Sequence, residues 1–440
     1  MVLGSLRSDS LSSRIGIFAA VLALYRIFLW SYRTALQLAA LRSPKARQWV
    51  AGRRGQTERL RTWRAGAPGR LLWMHCASLG EFEQGRPVLE AWRAAHPDWR
   101  LLLTFFSPSG YAVRKNYPGA DYVAYLPLDG PRRAAEFLDA IQPDLAVFVK
   151  YEFWYFYLTQ LKERGVPTFL IAATFRARQP FFRWYGSLHR RMLRCFTHLY
   201  VQDDRSRSLL ADFSLPLTVA GDTRIDRVLE LAEQAPARPE IERFINGQPV
   251  LVAGSTWRPD LAILREWSVD PRYADWKLIV APHDVSGFRP VKGTINFHPV
   301  AKWDFQTPLA YYSQLPERID ERILVIDNVG MLSSLYRYAT IVYIGGGFGA
   351  GIHNTLEPMA FGKPVLFGPK HEKFPEAIYL DGFPATGKVV NEADFKRKFD
   401  YLIEDEIVYQ QACERAYAYL QAHAGATQLV ISGLENHLAS

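Results

Sequence analysis

Two series of short apolar runs, each alternating with amphipathic stretches, follow one another along this chain, and the polar segment Gln234–Glu240, with two prolines, separates them. The first series comprises Leu71–His75, Arg100–Phe105, Leu145–Val149, Thr168–Ala172 and Leu199–Val201, with helical patterns such as Glu83–His96 and Arg132–Ile141 between. The second comprises Val250–Ala253, Lys277–Ala281, Arg322–Ile326, Ile341–Ile344 and Pro364–Phe367. Such alternation in two blocks predicts the α/β class, with two doubly wound domains. The expected boundaries are 46–230 and 231–415, after an amino-terminal segment 1–45. A final helical stretch, Glu404–Leu438, follows, and its part 416–440 is expected to pack back across the first domain. In such sheets ligands bind beyond the carboxyl ends of the strands, so the residues just after each strand are where chemistry is to be sought.

The formal net charge is +9, which directs attention to anionic partners. From Arg42 to Arg70 nine basic residues stand against the single acid Glu58. A second acid-free stretch, Arg176 to Arg194, interleaves Arg178, Arg183, Arg190 and Arg191 with Phe181, Phe182, Trp184 and Tyr185. Guanidinium groups bind phosphate bidentately and aromatic rings settle at membrane interfaces, so Arg176, Arg178 and Arg183 are candidates for an acidic lipid. A solvated basic face over core aromatics is the plainer reading. No nucleic-acid motif accompanies the charge, and nucleic acid is not an expected partner. The widely spaced Cys76, Cys195 and Cys413 form neither a disulfide framework nor a zinc pattern. Near the amino terminus, Ile15–Tyr25 carries no charged side chain, and Ile27–Trp30 continues the apolar run after Arg26. A spanning helix needs roughly 20 such residues, which makes spanning marginal. An interfacial helix or short anchor fits better, and a helix buried against a domain is the alternative.

Three groups of residues after strands carry the chemistry. The first, Ala77-Ser78-Leu79-Gly80-Glu81-Phe82, sets a carboxylate at the mouth of a sheet. There Glu81 is either a general base or a first-turn acid favoured by the helix dipole. The second, Lys150-Tyr151-Glu152-Phe153-Trp154, holds a lone acid beside aromatics, suited either to orienting an acceptor or to capping a helix. The third is the run Gly345-Gly346-Gly347-Phe348-Gly349-Ala350-Gly351, leading to a helix expected to start near His353–Asn354. Glycine N–H groups and a helix amino terminus hold phosphate or carboxylate, and Glu357 is placed to bind a ribose diol. This is neither a Walker loop nor a dinucleotide fingerprint. Further pieces at strand ends are Gly254-Ser255-Thr256, Pro282-His283-Asp284, and Gly368 through Lys373 to Glu376. No grouping has metal-ligand spacing, so no metal and no cofactor is expected.

Together these pieces resemble the Kdo (3-deoxy-manno-octulosonic acid) transferases of lipopolysaccharide assembly. The likeness rests on Ala77–Glu81, Gly345–Glu357 and Phe367–Ala377, and extends through Tyr125-Leu126-Pro127, Glu152-Phe153-Trp154, Gly221–Asp226 and Asp327–Leu332. The resemblance implies a GT-B fold, two Rossmann-like domains facing a cleft, with the acceptor at the first and CMP-Kdo at the second. It implies inverting, metal-independent transfer of Kdo to a lipid A precursor (lipid IVA) at the cytoplasmic face of the inner membrane. Carried over by position, Glu81 is the base and Glu152 the second acid near the acceptor. Ser255, Thr256, Pro282, His283, Gly346, Gly347, Phe348, His353, Asn354 and Glu357 then line the donor pocket, with Lys373 and Glu376 at its rim. The chain departs from the family pattern at Lys150-Tyr151, where many members have Thr before Glu, and at Trp257, where many have His. Two other readings compete: a nucleotide-sugar epimerase or transferase of another sugar on the same fold, and a non-catalytic membrane-tethered binding protein.

Overall fold

The computed structural model describes residues 5–285, 308–315 and 317–439; residues 286–307, inside the second expected domain, and 1–4, inside the expected amino-terminal segment, lie outside the described residues. The chain divides into two compact units. One comprises Met1–Asp226 with Gly425–Ser440, and the other Arg227–Ala424.

The sheet of the first unit is built from β1 (Leu71–Cys76), β2 (Arg100–Phe105), β3 (Tyr122–Tyr125), β4 (Leu145–Val149), β5 (Thr168–Ala173), β6 (His198–Val201) and β7 (Leu217–Val219). Its order is β3-β2-β1-β4-β5-β6-β7, with every neighbouring pair parallel. Every residue of β1, β4 and β5 is buried, because helices cover both faces of a parallel sheet. That is why these strands read as unbroken apolar runs. The order reverses between β1 and β4, so a crevice opens past their carboxyl ends.

The second unit holds β8 (Val250–Thr256), β9 (Lys277–Pro282), β10 (Leu309–Tyr311), β11 (Ile323–Val325), β12 (Ile341–Ile344), β13 (Val365–Phe367) and β14 (Gly387–Lys388). These lie in the order β10-β11-β9-β8-β12-β13-β14, again all parallel. Here the reversal falls between β8 and β12. The four strands not expected from sequence, β3, β7, β10 and β14, are the four sheet edges. An edge pairs on one side only and keeps half-buried residues, so no apolar run marks it.

The amino-terminal helix Ser5–Ala39 lays one stripe on the first unit. Phe18, Val21, Leu22, Tyr25, Tyr32 and Leu36 pack against the core, with Leu29 only 4% exposed among them. The three-and-four spacing of these positions keeps them on one face of a helix. The Tyr25 hydroxyl donates to Asp129 Oδ2 at 2.7 Å, and Asp129 also accepts from the N–H groups of Phe156 and Tyr157. Burial against a domain therefore holds for this stripe. The opposite side exposes Leu24, Ile27, Phe28 and Leu38, and Trp30 is 69% exposed. Among the described residues no helix is long and apolar enough to cross a membrane.

At the other end the chain re-enters the first unit at Gly425, whose φ of +98° turns the backbone sharply. Asp226 accepts from the N–H groups of Gly425 and Thr427, each at 2.6 Å. The helix Ala426–Ala439 then buries Val430, Ile431 and Leu434 in the same core cluster as Leu72 and Met74 of β1. The helical stretch expected over Glu404–Leu438 is two helices, Glu406–His423 and Ala426–Ala439, set off from the preceding helix Glu392–Glu404. Asp405 makes the first break by capping the N–H groups of Ile407 and Val408, and Gly425 makes the second.

Candidate functional site

In the first unit the residues past β1 and β4 meet. Ser78 caps the helix Leu79–Ala95, its Oγ accepting from Glu81 N at 3.4 Å. The Glu81 carboxylate reaches back to Ala77 N at 2.5 Å and Ser78 N at 3.3 Å, closing a capping box. The first-turn reading of Glu81 is thus satisfied, yet the same carboxyl is pushed up to about 8. Burial is the main cause and the Glu152 charge the next, against the pull of the two backbone N–H groups and Lys150. A carboxyl held there titrates close to neutrality, where proton transfer is most effective.

Glu152, 7% exposed, sits at the end of a directional chain of hydrogen bonds. Trp73 Nε1 donates to Thr104 Oγ1 at 2.8 Å, and Thr104 Oγ1 lies 2.9 Å from His75 Nδ1. His75 Nε2 lies 2.9 Å from Glu152 Oε2, which also accepts from Trp154 Nε1 at 2.6 Å. Indole groups can only donate, so the chain is consistent when His75 carries its proton on Nε2. His75 was not singled out from sequence, because inside the fully buried β1 it reads as a core position. Lys150, which acts on the Glu81 carboxyl, has φ of +66°, a left-handed conformation that a non-glycine residue adopts only when held. Burial and then Arg224 push its ammonium down, Asp222 and Glu81 oppose them, and Arg176 adds to the lowering. Arg224 is itself clamped on Asp222, with Nη2 to Oδ2 at 2.6 Å. Of the three expected acceptor arginines, the structure brings Arg176 into this electrostatic group, while Arg178 and Arg183 are exposed on the same stretch.

In the second unit the corresponding position is the crossing of β8 and β12. Gly346 has φ of +94°, and a Cβ there would fall 2.5 Å from Gly351 O; one on Gly347 would fall 2.5 Å from the Gly368 backbone. Only glycine fits at either place. The expectation that this loop offers its N–H groups to an anion is corrected in part. Gly345 N donates to Gly254 O, Gly346 N to Asp260 Oδ2, and the N–H groups of Gly349 and Gly351 to Gly346 O. The tight turn that demands glycine also consumes these donors. The helix after the loop begins at Leu356 rather than near His353–Asn354 and is five residues long. The Asn354 side chain causes the delay by accepting from Leu356 N at 3.1 Å while donating to Glu357 Oε1 at 2.9 Å.

A cavity of about 290 Å³ opens here, lined by Ser255, Gly330, Leu332, Ser333, Tyr336, His353, Asn354 and Glu357. It gathers Ser255, His353, Asn354 and Glu357 from the expected set. Ser255 has φ of +51°, a strained place at the strand end. Thr256 is buried beside it, and the backbone of Gly346, Gly347 and Phe348 passes nearby in the loop. Pro282 ends β9, and the exposed His283 ring stacks on both Trp257 and His353, each at 4.4 Å between centroids. Lys373, exposed, and Glu376, buried, stand at the start of the helix Pro375–Asp381 and do not line this cavity. Burial and the neighbouring His283 hold His353 down at about 4, so its ring is neutral at neutral pH.

Asp260 was also missed. It is fully buried and accepts from Trp257 N at 2.7 Å, Gly346 N at 3.0 Å and Tyr343 Oη at 2.7 Å. Among the described residues, no group of three or more His, Cys, Asp or Glu is arranged to hold a metal ion.

The family described as 3-deoxy-D-manno-octulosonic-acid transferase (kdotransferase) matches residues 52–227. The chain is 25% identical to the 3-deoxy-D-manno-octulosonic acid transferase of Haemophilus influenzae over 415 residues, 91% of this chain and 94% of that protein. To the protein of the same description from Bordetella pertussis it is 27% identical over 392 residues, 83% of this chain and 87% of the other. Among solved structures, a UDP-GlcNAc 2-epimerase from Neisseria meningitidis superposes with a TM-score of 0.55 at 15% identity, covering 84% of this chain and 100% of that one. That likeness concerns the fold alone, a GT-B fold with two Rossmann-like units.

Proposed function

Since the chain belongs to the Kdo transferase family of glycosyltransferases, we propose that it moves Kdo from CMP-Kdo onto a lipid A precursor, with Glu81 as general base. The observation that carries this reading is the pair of carboxyls at the β1–β4 reversal, Glu81 half-buried and Glu152 buried. Glu81 is poised near neutrality there, and Glu152 is fixed by His75 and Trp154. In the proposed reaction the Glu81 carboxylate takes the proton of a glucosamine hydroxyl as that oxygen bonds to the anomeric carbon of Kdo. The bond from that carbon to the CMP phosphate oxygen breaks, and attack from the face opposite CMP gives inversion. Glu152 acts as a positioning residue: its charge raises the proton affinity of Glu81. Lys150, Arg176 and Arg224 suit the phosphates of the acceptor. The cavity of the second unit takes the donor, with Glu357 and Asn354 suited to its hydroxyls.

The decisive experiment incubates the purified chain with tetraacylated lipid A precursor and freshly generated CMP-Kdo and weighs the lipid by mass spectrometry. An increase of one or more Kdo units is expected; none, from folded protein in suitable detergent, removes the substrate assignment. The pH dependence has a definite sign. The base must be ionised, so kcat/KM rises with pH and levels above about 8. In the Glu152→Gln variant the like charge is gone, so this limb moves toward lower pH. An unmoved limb would show that Glu152 does not set the Glu81 proton affinity.

The proposal includes a place of work: the cytoplasmic face of the inner membrane, with the amino-terminal helix lying in an anionic lipid surface. The exposed Leu24, Ile27, Phe28, Trp30 and Leu38 support this, since an apolar face and interfacial tryptophan suit the headgroup boundary. Co-sedimentation with phosphatidylglycerol vesicles is expected, weakened on the order of tenfold or more by Ile27→Asp with Phe28→Asp. Equal binding by that double variant would exclude this helix as the docking element.

A further inference from the structure

The ring of His353 is held on one edge. Trp257 Nε1 lies 2.9 Å from His353 Nε2, and a Cβ on Gly346 would sit 3.1 Å from His353 Cδ2 and 3.3 Å from Nε2. The Nε2–Cδ2 edge therefore faces Trp257 and the glycine loop. The opposite edge, carrying Nδ1, is what His353 has left to present to the cavity it lines with Ser255, Asn354 and Glu357. Among the described residues no hydrogen-bond partner reaches Nδ1. One face of the ring is fixed too: His283 stacks on it at 4.4 Å and 24°, while the Trp257 plane lies parallel to that of His353 within 6°. Trp257 is in turn anchored by its own N–H on the buried Asp260.

An indole N–H donates and never accepts. A neutral imidazole facing it must therefore offer a lone pair at Nε2, which places the ring proton on Nδ1. We propose that Trp257 is a positioning residue that locks His353 in the Nδ1–H tautomer, so that a neutral ring aims one N–H donor at an anionic oxygen, phosphoryl or carboxylate, of the bound donor. The ligand half rests on the donor assignment proposed above; the tautomer half does not. Without the indole donor Nε2 is free to hold the proton itself, the ring has no reason to keep Nδ1–H, and the ligand faces a lone pair in place of a donor. An exposed residue, 43% accessible, thus decides the polarity of a wall of the site through a second ring.

The test uses the full chain with 15N-labelled histidine, ligand-free, at neutral pH. Long-range 1H–15N correlations distinguish protonated from unprotonated ring nitrogens, and a His353→Gln variant assigns the signal. The wild type is expected to show protonated Nδ1 and bare Nε2 at His353. Trp257→Phe keeps a stacking ring and removes the donor; it is expected to shift His353 toward Nε2–H. Calorimetric titration with CMP is expected to show roughly tenfold weaker binding in that variant, the scale of one lost hydrogen bond. Protonated Nε2 in the wild type, or an unchanged tautomer in Trp257→Phe, would overturn the lock. A tautomer that moves while CMP affinity stays would overturn the role toward the ligand. Failure of the wild type to bind CMP would sink the donor assignment instead, and the ligand half with it, while the spectra still decide the lock. Should Trp257→Phe not fold, the wild-type spectrum alone remains decisive.

Discussion

Glu81→Gln is expected to abolish sugar transfer and leave the protein folded. Glutamine is isosteric and accepts hydrogen bonds through its amide oxygen, so the contacts to Ala77 N and Ser78 N survive, and glutamine is accepted at this place of a capping box. What disappears is the ability to take a proton. The loss expected for a general base is about 10²- to 10⁴-fold in kcat. Glu81→Ala removes cap and base together and is the poorer experiment, since a stability loss of about 1 kcal/mol from the cap would accompany it. The glutamine variant also separates the two readings by stability. The folded carboxyl titrates near 8, above its ordinary value of 4.5, so folding favours its protonated form. The stability this lends is complete below about 4.5 and is lost as pH rises through about 8. Relative to Glu81→Gln, the wild type should therefore weaken progressively across that window in denaturant titrations. Full transfer activity in the glutamine variant would leave Glu81 as a cap alone.

Asp260→Ala is expected to damage the second unit more than any substitution of a cavity-lining side chain. One buried carboxyl group holds Trp257 N, Gly346 N and Tyr343 Oη, so its removal strands three donors in the interior. Each buried unsatisfied donor costs about 1–3 kcal/mol, which puts the total at roughly 3–5 kcal/mol once partial relaxation is allowed. The first unit, whose core contains no residue of this cluster, should unfold at an unchanged denaturant concentration. CMP binding should vanish with the native shape of the glycine loop. A loss below about 1 kcal/mol would mean that water or shifted backbone replaces all three contacts.

Those two residues mark what was legible before the structure. Glu81 stood out because small residues and an acid directly follow an apolar run, and that is a feature of the chain itself. Asp260 did not, because its importance comes from three partners up to 86 residues away, among them a tyrosine inside β12 and an amide in the glycine loop. His75 was invisible for the opposite reason. Its neighbours in β1 are so apolar that the position reads as core, and only pairing with β4 brings Glu152 to its ring. The central strands announced themselves by burial on both faces, whereas the edges β3, β7, β10 and β14 did not. The amino-terminal helix was readable as apolar but not as two-sided: the stripe from Phe18 to Leu36 and the exposed one from Leu24 to Leu38 are both apolar, so periodicity alone did not tell them apart. The glycine run was expected to offer its N–H groups to an anion, yet those of Gly345, Gly346, Gly349 and Gly351 are taken by Gly254, Asp260 and Gly346, which depends on backbone geometry that composition does not encode.

The return of the chain at Gly425 has a consequence for biosynthesis. The helix Ala426–Ala439 supplies Val430, Ile431 and Leu434 to a core that β1 and β2 begin to build hundreds of residues earlier. On a ribosome adding about 5–20 residues per second, the whole of Arg227–Ala424 is made in between, a delay of roughly ten to forty seconds. Throughout that interval the nascent first half has an uncovered apolar sheet face, the condition in which chaperones bind emerging chains. Synthesis order and folding order are therefore opposed in this protein: the half made first is the half completed last.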